Sequence, residues 1–297
     1  MQQMSIKNSG PLPWLPEGRI VSVADRGEFF VRHHRHENPA APTLLLLHGW
    51  TASSDTQFFT AYSELAKHYS FIGIDHRGHG RGLRPTQKFS LEECADDAAA
   101  VVRALGVTSV ITVGYSMGGP ISLFVAQRHG DLVDGLVLQA TALEWRGTAR
   151  ERARWVVTSA ASPFLRRLTT PRLLGIALRR YVPRRSELDK YMPWMIGEIR
   201  RNDPWIVSRA GRALSQYDAR PWANTLGKPA AYVFTATDQL VHPAKQRELI
   251  AALQAHVVEL QGDHFVTLSQ PVEYASATRE AVLHVEQRVT TNRQATP

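Results

Sequence analysis

The run Gly114-Tyr115-Ser116-Met117-Gly118-Gly119 leaves this chain the least conformational freedom. It ends a β-branched stretch that starts at Ser109 and opens a stretch with helical spacing from about Met117 to His129. A tight strand-to-helix turn holds its central residue in a sparsely populated backbone conformation and closes only where neighbouring side chains are absent. The glycines meet that need. A serine at the centre of such a turn also lies beside the N–H groups and positive dipole end of the new helix. The bare pattern G-x-S-x-G arises by chance in about one chain in ten of this length at ordinary Gly and Ser frequencies. The strand before and the helix after therefore carry the weight.

The surrounding sequence alternates strand-like and helix-like stretches, the pattern of an α/β sheet. Arg19–Asp25 and Glu28–His33 read as a hairpin around Arg26-Gly27, and Thr43–His48 as a strand buried on both faces. Asp55–His68 carries Phe58, Phe59, Tyr62, Leu65 and Ala66 on one helical side. Phe71–Asp75 is the next strand, and Ser90–Leu105 the next helix, where Ser90 and Glu93 have the spacing of a capping box. Val133–Thr141 is a further strand. After Ala142 the alternation stops for nearly eighty residues. Leu188, Tyr191, Met192, Met195, Ile196 and Ile199 follow a 3–4 spacing, and Asp203-Pro204 reads as the N-cap and first position of another helix. Strands return at Lys228–Thr235 and His256–Leu260, with a helix near Pro243–Gln254 and a terminal helix from about Pro271 to Arg288. The last few residues are expected to be disordered. This predicts a core of residues 19–141 and 221–289 with a helical cap, 142–220, inserted after the sixth strand.

The net charge of +8 belongs to that insert. Residues 142–220 hold 17 Lys plus Arg against 7 Asp plus Glu, a net of +10, which leaves the rest at −2. A slightly acidic core and no recognisable binding module argue against nucleic acid as a partner. Cys94 is the only cysteine, so an internal disulfide and a multi-thiolate metal site are excluded. Neither a signal-peptide stretch nor about 18 consecutive apolar residues occurs, and a cytoplasmic protein is expected.

A serine nucleophile needs a base, and the base an orienting acid. Asp238 directly follows the strand ending at Thr235, and His264 follows the strand ending near Leu260. Both lie at carboxyl ends of strands, the edge where open α/β sheets bind ligands. Together with Ser116 they fall in the order Ser, acid, His. The chain thus resembles the α/β-hydrolase superfamily from Val21 to about Arg288, most nearly its lidded serine esterases. The resemblance implies a mostly parallel eight-stranded sheet, with Ser116 as nucleophile, His264 as general base and Asp238 as orienting acid. His48-Gly49-Trp50 is similar to the family's oxyanion motif, and the backbone N–H groups of Trp50 and Met117 would form that hole. Asp75-His76-Arg77-Gly78-His79-Gly80 is similar to its D-x-R-G-H-G loop, where Asp75, His76 and His79 read as structural.

Glu144 is the rival orienting acid, and Asp263 reads as a loop residue. His33-His34-Arg35-His36 lacks a thiolate partner and reads as a solvated hairpin end. Trp50, Tyr115, Trp145, Met192, Met195 and Leu240 are the expected pocket wall. No metal and no cofactor are expected. The substrate class implied is a small hydrophobic ester, since the insert is also rich in large apolar groups such as Trp155, Phe164 and Trp205. Its paired arginines at 166–167, 179–180, 184–185 and 200–201 read as a solvated exterior in a chain with 29 Arg and 6 Lys. Contact with an anionic membrane surface, or with an anionic substrate such as an acyl-CoA, is the sharper alternative. Other functions on the same triad are a thioesterase, a carbon–carbon bond hydrolase of ring-cleavage diketones, and perhydrolysis. A non-catalytic binding module is the reading from outside enzymology.

Overall fold

A computed structural model describes residues 11–86, 88–147, 149, 151, 153 and 170–295. Eight strands form one sheet: β1 (Glu17–Val23), β2 (Gly27–His34), β3 (Thr43–Leu47), β4 (Ser70–Ile74), β5 (Val110–Tyr115), β6 (Val133–Gln139), β7 (Ala230–Thr235) and β8 (His256–Leu260). Their order is β1-β2-β4-β3-β5-β6-β7-β8. The hairpin β1–β2 joins antiparallel to β4, and β3 to β8 run parallel. The mostly parallel sheet implied by the sequence is the one observed.

Alternation within each central strand feeds two cores. Leu45 and Leu47 face one cluster with helices α2 (Leu91–Ala104) and α3 (Gly118–Arg128). Leu44 and Leu46 face the other, with α1 (Ser54–Leu65) and the terminal helix. Strands buried on both faces can carry apolar residues at every position, which is why TLLLL reads as a continuous run.

The insert between β6 and β7 contains α4 (Pro171–Leu178), α5 (Met192–Ile199) and α6 (Pro204–Gln216) among its described residues. Asp203 caps α6 as expected, accepting the Trp205 and Ile206 N–H groups. The two ends of the insert meet: the Ala219 N–H donates to the Leu143 carbonyl at 2.8 Å, and Glu144 bridges Asp218. Trp155, Phe164, Arg166 and Arg167 lie outside the described residues. Beyond β7 come α7 (Pro243–Leu253), the short α8 (Val266–Ser269) and α9 (Pro271–Ala295).

Three local expectations change. The capping box at α2 is half made: Ser90 accepts the Glu93 N–H, while the Glu93 carboxylate pairs with Arg77 and Arg26. A full capping box stands instead at Ser53 and Thr56. The terminal helix, expected to end near Arg288, continues to Ala295, with Arg293 tied to Asp134, 2.8 Å from each carboxylate oxygen, and Thr296 and Pro297 lie outside the described residues. The histidine-rich end of β2 is not simply solvated. His33 is buried against Arg19, and the rings of His34 and His36 meet the Ala66 and Lys67 carbonyls at the end of α1, each at 3.1 Å.

Candidate active site

Ser116 has φ +51°, in the left-handed region that costs a side-chain-bearing residue roughly 1–3 kcal/mol. The surroundings over-determine it. Its N–H donates to Gln139 O at 2.9 Å, and its carbonyl accepts from Gly119 N–H (2.9 Å) and Thr141 Oγ1 (2.8 Å). A Cβ on Gly118 would stand 1.9 Å from the Leu47 carbonyl oxygen, so only glycine lets α3 start this close to β3.

From Ser116 a hydrogen-bonded series runs inward. Ser116 Oγ lies 3.1 Å from His264 Nε2, and His264 Nδ1 lies 2.7 Å from Asp238 Oδ2. Asp238 is completely buried, yet its charge has donors on every side. Thr235 Oγ1 donates to Oδ2 at 3.1 Å, and the backbone N–H groups of Leu240 and Val241 donate to Oδ1 at 2.8 Å each. An ionised carboxylate only accepts, so His264 carries its proton on Nδ1 and presents Nε2 as the acceptor for the serine hydroxyl. Such a series can take the proton from Ser116 as its oxygen attacks. His264 is steadied from beneath, where the Tyr115 hydroxyl donates to its carbonyl at 2.9 Å.

Beside the serine runs the segment after β3. A Cβ on Gly49 would lie 3.3 Å from Ser116 Cβ. The completely buried His48 fixes this segment. Its Nε2 accepts the His76 N–H at 2.9 Å, so its Nδ1 bears the proton and donates to the Gly49 carbonyl at 2.8 Å. Gly49 O and the Trp50 N–H belong to one peptide plane, so that bond also sets the direction of the Trp50 donor. Met117 is buried where α3 begins.

His48 packs beside His76 and His79 in tilted ring contacts, with centroids 4.2 and 5.4 Å away. Burial holds all three neutral, lowering His76 to about 3, His79 to about 4 and His48 well below its ordinary value. Burial also pushes the Asp75 carboxyl up to about 6, although it accepts the Ser54 and Arg81 N–H groups at 2.7 Å each.

The expected pocket residues separate. Tyr115 lies in the core behind His264, not on a wall. Met192 and Met195 pack into the cluster that holds Phe59, and Trp145 is buried in the opposite one. Leu240 is 42 % exposed. Among the described residues the insert reaches the site where Tyr181 stacks on Phe265 with centroids 4.1 Å apart, where Trp50 Nε1 donates to Val207 O at 2.7 Å and where Asn202 meets the Thr51 carbonyl. The rival acid Glu144 is bound to Lys245 and accepts the Arg146 N–H at 2.6 Å. Asp263 Oδ1 accepts the Phe265 N–H at 2.8 Å. Thr141, Thr235 and Gln57, whose Oε1 accepts the Gly49 N–H at 3.3 Å, support the site but carry no mark in the sequence. Among the described residues no group of three or more His, Cys, Asp or Glu side chains could hold a metal ion, and no helix is long and apolar enough to cross a membrane.

A family model described as the alpha/beta hydrolase fold matches residues 42–271, and the chain belongs to that family. It is similar to the AB hydrolase superfamily protein YisY of Bacillus subtilis (strain 168), 33% identical over 127 residues, 42% of this chain and 46% of YisY. It is also similar to the bifunctional esterase/perhydrolase DCH of Acinetobacter calcoaceticus, 36% identical over 99 residues, 33% of this chain and 36% of that protein. In both matches the chain spans less than half of its relative's length. In structure it resembles the enol-lactonase from Burkholderia xenovorans LB400, with a TM-score of 0.75 at 21% identity over 89% of this chain and 100% of that one. At that identity the likeness speaks for the fold alone.

Proposed function

We propose that this hydrolase-family chain cleaves carboxylic esters with a hydrophobic acyl or alcohol part through an acyl-enzyme on Ser116. The single observation that carries the reading is His264 bridging Ser116 Oγ at 3.1 Å and the buried Asp238 at 2.7 Å. His264 Nε2 takes the serine proton as Oγ attacks the ester carbonyl. The oxyanion that forms is held by the N–H groups of Trp50 and Met117, each worth roughly 3 kcal/mol to the transition state. The proton on His264 then passes to the departing alkoxide, and the carbon–oxygen bond breaks. Water enters, gives its proton to His264, attacks the acyl carbon and releases the acid, which restores Ser116. The insert serves as a cap, docked through Tyr181 on Phe265 and through Val207 on Trp50.

The esterase named among the relatives supports the ester reading, and the perhydrolase half of the DCH name favours one companion reaction. Hydrogen peroxide attacking the same acyl-enzyme would give a peracid. The test is a panel of acyl p-nitrophenyl esters, thioesters and vinylogous diketones, run on wild type and Ser116→Ala, with hydrogen peroxide added in one arm. We expect wild type to hydrolyse the esters and Ser116→Ala to lose at least about 10⁴-fold in rate. A Ser116→Ala protein at the wild-type rate would overturn the reading, and turnover of diketones without esters would redirect it to carbon–carbon bonds.

A further inference from the structure

The two sides of the proposed oxyanion hole are held by different parts of the chain. Met117 belongs to the start of α3, fixed within the core. Trp50 lies on the segment after β3, and the residue that follows it is strained: Thr51 has φ +65°, a rare conformation for a β-branched side chain. A turn closed by the Ala52 N–H on the Gly49 carbonyl at 3.3 Å shapes it from within, and a second contact comes from the insert. Asn202 Nδ2 donates to the Thr51 carbonyl at 2.6 Å, while Asn202 Oδ1 accepts the Gly80 N–H at 2.8 Å. One amide uses its donor end on the oxyanion segment and its acceptor end on the Asp75–Gly82 loop, which fixes which way round it sits. Five residues on, the carbonyl of Val207 accepts the indole N–H of Trp50 itself.

The loop beneath is shaped to receive this part of the insert. The Asp203 N–H donates to the Gly78 carbonyl at 2.8 Å. A Cβ on Gly78, which has φ +76°, would stand 2.2 Å from Ile206 Cγ2. Arg81 grips the buried Glu198 carboxylate, with contacts of 2.7 and 2.8 Å. The turn from Glu198 to Val207 is thus seated in the loop, and from that seat it holds the oxyanion segment.

Resting on the serine-hydrolase reading, we propose that Asn202 is a positioning residue that aims the Trp50 N–H, so that the oxyanion hole is complete only while the start of α6 is docked. The hydrogen bond from Asn202 keeps Thr51 in its strained conformation. His48 anchors the Gly49 carbonyl of that peptide and Asn202 the Thr51 side; without Asn202, Thr51 relaxes, the Gly49–Trp50 peptide tilts against its single remaining anchor, and the donor points away from the developing oxyanion. A misaimed donor loses transition-state stabilisation without changing substrate affinity, because the hole acts on the charge that forms during attack.

Asn202→Asp keeps the oxygen that accepts from Gly80 and replaces only the donor to Thr51 with a repelling oxygen. Trp50→Phe keeps an aromatic ring and removes the indole donor. For each variant, kcat and KM on p-nitrophenyl butyrate and the rate of fluorophosphonate labelling at Ser116 are measured beside the thermal midpoint. We expect both variants to lower kcat at least tenfold, with KM within twofold, and to slow labelling by a similar factor. The double variant should fall little further than the worse single one, since both release the same peptide. Asn202→Asp with kcat and labelling within twofold of wild type would overturn the proposal even if its midpoint fell, because that is the outcome of a merely structural contact. Two independent, multiplying losses would also overturn it. A wild-type protein that fluorophosphonate does not label at Ser116 is a different failure, that of the serine-hydrolase reading itself.

Discussion

The sheet and the insert are held in different proportions by packing and by directional contacts. Strands β3, β5 and β7 have almost no exposed residue, and their neighbours approach so closely that added atoms have nowhere to go. Helix α4 buries none of its residues, and α5 buries three, one of them the charged Glu198. Helix α6 packs Ile206, Ala210 and Leu214 into the core, and near the site the described insert is further fixed by a few directional polar contacts: Glu198 to Arg81, Asn202 to Thr51 and Gly80, Asp203 to Gly78, and Val207 to Trp50. Packing is distributed and tolerates little volume change, whereas single hydrogen bonds are local and can be released one at a time. The sheet therefore sets global stability, and the seat of the insert sets local order at the site.

Adding one methyl group to each region gives the sharpest contrast. Gly118→Ala places a carbon 1.9 Å from the Leu47 carbonyl oxygen, a backbone atom that cannot swing aside. We expect a loss of about 3 kcal/mol or more in urea unfolding, or failure to accumulate soluble protein. A Gly118→Ala protein of wild-type stability would break the contrast.

Histidine protonation between pH 7 and 5 should act on the core alone. All 12 histidines lie outside residues 142–220. His48, His76 and His79 are buried neutral with lowered folded pKa values, so their contribution is intact above about 6.5 and is lost as pH falls. Asp75 opposes them: its folded value of about 6 is raised, so protonation there favours the native state as pH falls. Three histidine protons against one on Asp75 give a net loss of about 2–3 kcal/mol per pH unit between pH 6 and 5. Unfolding midpoints at pH 7, 6 and 5 test this, and a flat profile would contradict it. The smallest effect has the reverse sign. Gly197 lies inside α5, and a Cβ added there would meet nothing within 4 Å, so Gly197→Ala should stabilise by about 0.5–1 kcal/mol. Thermal shift reads it, and any loss would mean that the insert is packed as tightly as the sheet.

Legibility in the sequence follows the same division. The elbow around Ser116 and the two residues that join it are marked locally, by glycines a turn requires and by positions just past strand ends. The sheet is legible because β3, β5 and β7 bury both faces and show it as apolar runs. Tyr115 sits on a legible strand, yet its place behind His264 is not legible, because the direction of its hydroxyl depends on where the loop after β8 returns. Glu93 has the spacing of a capping partner, yet Arg26 and Arg77 reach its carboxylate from 67 and 16 residues away. Asn202 meets Thr51 across 151 residues and Trp50 meets Val207 across 157. No periodicity or local spacing encodes such pairs, because each depends on the finished placement of the insert.

The narrow neck at Leu143–Glu144 and Asp218–Ala219 has a consequence for how such chains can change. Because the chain leaves and rejoins the sheet side by side, the stretch between can be exchanged, lengthened or shortened while β6 and β7 keep their register. A grafted segment would then inherit a ready-made serine, histidine and aspartate. If Asn202 acts as proposed, that segment would also have to bring an amide and a carbonyl to the places of Asn202 and Val207. On the positioning proposed for Asn202, exchange at the neck is easier for folding than for turnover.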